Sequence, residues 1–90
     1  MKTILFPPGQ IVATTGAMEM AEKGINLLAY LRRHLQGDWG ELDKADIQEN
    51  NFSLKNGYRL LSSYTTRLGK LWIITEADRS VTTFLLPSEY

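Results

Sequence analysis

The sequence predicts an α+β fold, two or three helices packed on a mainly antiparallel sheet that ends in a C-terminal three-stranded meander. Three observations carry this. Between Gly16 and Gly57, apolar residues recur at helical spacing in stretches bounded by capping residues and glycines. From Tyr58 onward the pattern changes to short runs rich in β-branched, aromatic and Thr residues: "YRLLSSYTT", "KLWIITE" and "SVTTFLLP". The segments between those runs, "RLG" and "ADR", have the length of hairpin connections.

Taken in order, "TILF" (Thr3 to Phe6) is expected to be a short strand, turned by "PPG", with "QIVAT" a second extended piece. Gly16 is expected to cap a short helix that Gly24 stops. Asn26 caps a second, with Leu28, Leu31 and Leu35 on its apolar stripe, Leu27 widening it and Gly37 at its end. Asp43 caps a third, from Lys44 to Asn56, before Gly57. Its stripe is thin (Ile47, Leu54 and Phe52), and Asn50 and Asn51 are poor helix formers at mid-helix. That places it on the outside of the domain.

Three-residue turns in the meander give two faces. One carries Leu60, Ser62, Tyr64, Trp72, Ile74, Glu76, Thr82, Phe84 and Leu86, including a cross-strand aromatic row of Tyr64, Trp72 and Phe84. This face is expected to meet the helices. The other carries Arg59, Leu61, Ser63, Thr65, Leu71, Ile73, Thr75, Val81, Thr83 and Leu85, and is apolar enough to need a cover. The N-terminal segment or a second subunit would supply it.

Composition narrows the function. The 90 residues make one domain, 1–90, whose core is thin, with only roughly 60–65% of the unfolded surface buried. There is no cysteine, so no disulfide, thiolate metal site or cysteine nucleophile. Ten basic residues balance ten acidic ones. That argues against bulk capture of nucleic acid and leaves little charge repulsion against self-association. No apolar run reaches the length of a membrane span, and "ILF" before two prolines does not read as a signal peptide. A cytoplasmic protein with no membrane association is expected. Nor is there a phosphate loop, dinucleotide fingerprint or zinc motif, so no cofactor and no metal are expected. The acids from Asp38 to Glu49 lack the order of a calcium loop and suit a helix N-terminus instead.

Two constellations carry chemistry. His34 is the only histidine and follows Arg32 and Arg33, a pattern that also serves as ordinary cationic decoration of a helix C-terminus. With Arg59, Glu76 and Arg79 it could form a metal-independent ribonuclease site. A base would take the 2′-hydroxyl proton, an acid would protonate the leaving oxygen, and Arg would stabilise the phosphorane. The second is a binding surface: Asp38 and Trp39 in the Gly37–Gly40 loop, with Arg59, Glu76, Asp78, Arg79 and Ser80 about the last hairpin.

"GDWGELDKADIQENN", "LKNGYRLLSSY" and "WIITEADRSVTTFLLPSEY" together resemble a group of short uncharacterised bacterial proteins, often labelled plasmid-related or after neighbouring restriction systems. The resemblance covers Gly37 to Tyr90 and implies bacterial origin and association with mobile elements, with no chemistry attached. The order of elements is also similar to that of barnase-like and RelE-like small ribonucleases, which are typically basic where this chain is neutral. The leading expectation is therefore a non-enzymatic binding or accessory protein of a mobile-element or defence locus, with a protein partner or a second copy of itself. The alternative is the small ribonuclease.

Overall fold

A computed structural model describes residues 3–90. In chain order the elements are β1 (Gln10–Ala13), α1 (Thr15–Glu22), α2 (Leu27–Leu35), α3 (Lys44–Asn56), β2 (Leu60–Thr66), β3 (Gly69–Thr75) and β4 (Val81–Leu85). A 3-10 turn, Pro87–Glu89, follows. The four strands form one sheet in the order β1-β4-β3-β2, with β1 parallel to β4 and the two meander pairings antiparallel.

The N-terminal expectations change. "TILF" is not a strand: Leu5 N–H donates to the Leu35 carbonyl (2.8 Å) at the end of α2, and Phe6 is buried in the core. The first strand comes from "QIVAT" and joins β4 from the side. Gly9, at φ +66°, makes this possible, because a Cβ there would collide with the Arg79 and Ser80 carbonyls of the β3–β4 turn. The cap of α1 is Thr14 rather than Gly16; its side chain accepts from Ala17 N–H. Asn26 and Asp43 cap α2 and α3 as expected. Along α2 the buried positions are Leu31, His34 and Leu35, whereas Leu28 is exposed, so a histidine sits where the stripe expects an aliphatic residue.

The strand faces also change, for an exact geometric reason. The β2–β3 hairpin closes on the pair Thr66–Gly69, leaving a two-residue loop, Arg67 and Leu68, in place of the expected three. The β3–β4 connection closes with Glu76 N–H donating to the Val81 carbonyl (3.0 Å), leaving four residues where three were expected. The two one-residue errors cancel between β2 and β4 and invert β3 alone. The helix-facing side therefore carries Leu60, Ser62 and Tyr64 from β2, Leu71, Ile73 and Thr75 from β3, and Thr82 and Phe84 from β4, all buried. They pack with Phe6, Ala17, Met20, Ile25, Leu31, Leu35 and Trp39 to form the core. Trp72 moves to the other face and the expected aromatic row does not exist.

That second face bears Leu61, Ser63, Trp72, Ile74, Val81, Thr83 and Leu85. Its partial cover is the C-terminus, not the N-terminal segment. Tyr90 packs edge-on to Trp72 (ring centroids 5.6 Å apart), and Arg59 both donates to the Tyr90 hydroxyl and lies over its ring. Glu89 anchors this turn by accepting from the Thr14 hydroxyl (2.6 Å) and from Gly16 N–H (2.9 Å) at the start of α1. A carboxylate at a helix N-terminus completes unsatisfied amides there, and these bonds hold the Glu89 carboxyl below its usual range.

The two sheet edges differ. The outward amides of β2 are satisfied in turn. The Asn50 side chain exchanges both bonds with the Leu61 backbone (2.5 and 3.2 Å). Ser63 N–H donates to the Trp39 carbonyl (3.1 Å), and Glu41 N–H to the Ser63 carbonyl (2.6 Å). Thr65 N–H donates to the Glu41 carboxylate (3.1 Å). Gly40, at φ +77°, is required here, since a Cβ would strike the Ser63 carbonyl. The outer edge of β1, by contrast, pairs with no strand among the described residues.

Candidate functional site: the second sheet face and its cleft

The core face accounts first for His34. It is fully buried between α2 and the sheet, edge-on to Phe6 and Trp39. Its Nδ1 lies 2.6 Å from the Ser62 hydroxyl and its Nε2 lies 2.9 Å from that of Thr75. Thr75 in turn lies 2.8 Å from the Thr82 hydroxyl, which donates to the Pro8 carbonyl (2.7 Å). A carbonyl only accepts, so one proton arrangement satisfies the whole chain. Thr82 donates to Pro8, Thr75 donates to Thr82, His34 Nε2–H donates to Thr75, and Ser62 donates to Nδ1. The imidazole is the neutral Nε2–H tautomer, and no buried polar side-chain atom among the described residues lacks a partner. Burial, with the nearby Arg79 charge, pushes its pKa down to about 3. A ring with both nitrogens engaged inside the core has no free lone pair for general base work.

Arg79 is similarly occupied. It sits at φ +61° in the β3–β4 turn, and its guanidinium donates to the carbonyls of Tyr58 (2.7 Å), Glu76 (3.1 Å) and Ser53 (3.2 Å) while lying over the Phe6 ring. It ties α3, the α3–β2 connection and the last turn together. In the same turn the Asp78 carboxylate accepts from Ser80 N–H (3.0 Å), and the Ser80 hydroxyl and amide hold the Asp78 carboxyl below its usual range. Glu76 gives its backbone to the turn.

The Gly37–Gly40 loop points inward. Trp39 is 4% exposed, stacks on Phe6 and donates its indole N–H to Asn51 (3.0 Å), so it is a core plug and not a contact residue. Asp38 accepts a charge-assisted bond from Arg33 (2.7 Å) and one from Gly40 N–H (3.2 Å). Its carbonyl accepts from the Tyr64 hydroxyl (2.6 Å), whose pKa burial pushes up to about 12.

His34, Arg59, Glu76 and Arg79 thus share no cleft. His34 lies in the core, Arg79 is spent on carbonyls, and Arg59 stands on the opposite side of the sheet. What the sequence missed is a cleft of about 410 Å³ between α3 and the second face, lined by Asp46, Glu49, Arg59, Leu61, Ser63 and Trp72 among others. The signal for it was present in the alternation of β3, read one residue out of phase. Among the described residues no cluster of His, Cys, Asp or Glu could hold a metal ion, and no helix is long and apolar enough to cross a membrane. In comparisons with known proteins, no family model, no curated protein and no solved structure matches this chain.

Proposed function

We propose that this protein is a non-catalytic binding module that recognises a protein partner through the second face of its sheet, around Arg59, Trp72 and Tyr90. One observation carries the reading. This face holds the cleft and a half-buried tryptophan, with Val81 and Thr83 also partly exposed on it, while His34, Trp39, Asp38 and Arg79 are committed to holding the fold. Trp, Tyr and Arg are the residue types on which interface energy concentrates. The contact surface therefore differs from the Gly37–Gly40 loop and the Glu76–Ser80 turn that the sequence suggested. An accessory role beside bacterial mobile elements has the sequence resemblance as its support. The geometry lends none to a ribonuclease, which needs a base and the arginines about one phosphate.

A photoreactive amino acid placed at Thr83, on the second face, is compared with one at Leu28, on the exposed side of α2, in cells producing the protein. The reading expects discrete adducts from position 83 and none from position 28. Adducts from position 28 alone, or from neither, overturn it.

A further inference from the structure

The cleft beneath α3 has two walls of opposite charge. Asp46 and Glu49 come from the first turns of α3, and Arg59 from the strand side. Among the described residues no ion pair joins Arg59 to either acid, although all three line the same space. Helix-dipole preference explains why acids occur in the first turns of α3. It does not explain the floor. Ser63 is 6% exposed, lies on the second face and lines the cleft, and its hydroxyl has no hydrogen-bond partner among the described residues. Because no fully buried side-chain oxygen is left unpartnered, that hydroxyl is reached from the cleft. Beside it Leu61 and the Trp72 ring form an apolar floor, and the Trp72 indole N–H is likewise unpartnered among the described residues.

We infer that this cleft takes a segment of a partner chain that presents a basic side chain next to a carboxylate. The cation meets Asp46 and Glu49, its methylene stem lies on Leu61 and Trp72, and the carboxylate accepts from the N–H edge of the Arg59 guanidinium. Ser63 and the Trp72 indole supply polar contacts to the segment's backbone. Each part follows from charge complementarity and from the tendency of a basic side chain to lay its apolar stem along apolar surface while its charged head reaches an acid. The inference rests on the second-face reading above and gives that face its ligand chemistry.

The probe is the blocked peptide acetyl-Gly-Arg-Glu-Gly-amide, titrated into the ¹⁵N-labelled protein. The two tryptophans provide the readout, Trp72 in the cleft and Trp39 in the core. Saturable movement of the Trp72 indole signal with Trp39 unmoved is expected. Replacing Arg by citrulline or Glu by Gln in the peptide is expected to weaken binding about two- to fivefold, as is the double substitution Asp46→Asn with Glu49→Gln, the factor to which the loss of an exposed ion pair corresponds. Among the described residues Asp46 and Glu49 carry no side-chain bond, so the double variant is expected to remain folded, as an unchanged Trp39 signal would report. Equal binding of the neutral peptides, no movement of Trp72, or indifference to the double substitution overturns the inference. If the peptide fails while position 83 still gives adducts, the ligand chemistry is wrong and the binding face stands; if both fail, both are wrong.

Discussion

Lowering the pH from 7 to 5 should cost this protein about 2 kcal/mol of stability through His34 alone. The imidazole is held neutral in the core with its pKa pushed down to about 3, against about 6.5 in an unfolded chain. The unfolded state therefore binds more protons throughout this window, and stability falls as pH falls. The loss starts near pH 6.5, proceeds at about 1.4 kcal/mol per unit and continues toward pH 3, reaching about 2 kcal/mol at pH 5. Glu41, Asp78 and Glu89, held below their usual range by hydrogen bonds, add losses of the same sign. Those set in at lower pH, as carboxylates titrate, so the interval from 7 to 5 isolates the histidine. Urea unfolding at pH 7, 6 and 5, on the protein and on His34→Gln, measures the slope. The variant can still hydrogen-bond but does not titrate, so its curve should be nearly flat. A flat curve for the unsubstituted protein, or an equal slope for the variant, refutes the buried neutral chain from Ser62 to Pro8.

Other outcomes follow from the same contacts. Asn50→Leu strands the outward N–H and C=O of Leu61 and should cost about 2–4 kcal/mol in denaturant unfolding, although leucine is the better helix former. A stability gain would show that the β2 edge does not depend on that amide. The uncovered β1 edge, with Ile11 and Val12 exposed, should support concentration-dependent self-association by light scattering that Val12→Lys suppresses. A monomer at all concentrations would refute it. Labelled RNA should remain intact on incubation with the protein; cleavage lost in Arg59→Ala would revive the ribonuclease reading.

The fold class was legible because caps and periodicity are local. Asn26, Asp43 and Gly57 mark the ends that the structure places there, and β-branched runs mark the meander. What was not legible depended on counts of one residue or on distant partners. Whether Gly69 belongs to the loop or closes the β2–β3 hairpin decides which way Trp72 points, and residue identity alone does not settle that. Asn50 and Asn51 are poor helix formers until their partners are known: the Leu61 backbone 11 residues on, and the Trp39 indole. His34 at a cationic helix end resembles a solvated residue, because the hydroxyls of Ser62, Thr75 and Thr82 that accommodate it lie 28 to 48 residues away in sequence. The cleft was hidden by the same phase error in β3.

The measurement that tests the account most directly is ¹⁹F NMR of the protein labelled with fluorotryptophan, with a soluble paramagnetic chelate added. Trp72 lies half-buried on the second face and Trp39 in the core, so the Trp72 resonance, assigned by Trp72→Phe, should broaden while that of Trp39 remains sharp. Broadening of Trp39 with Trp72 protected would contradict this: β3 would then face the other way, and the second face would lose the tryptophan on which the proposed partner contact rests.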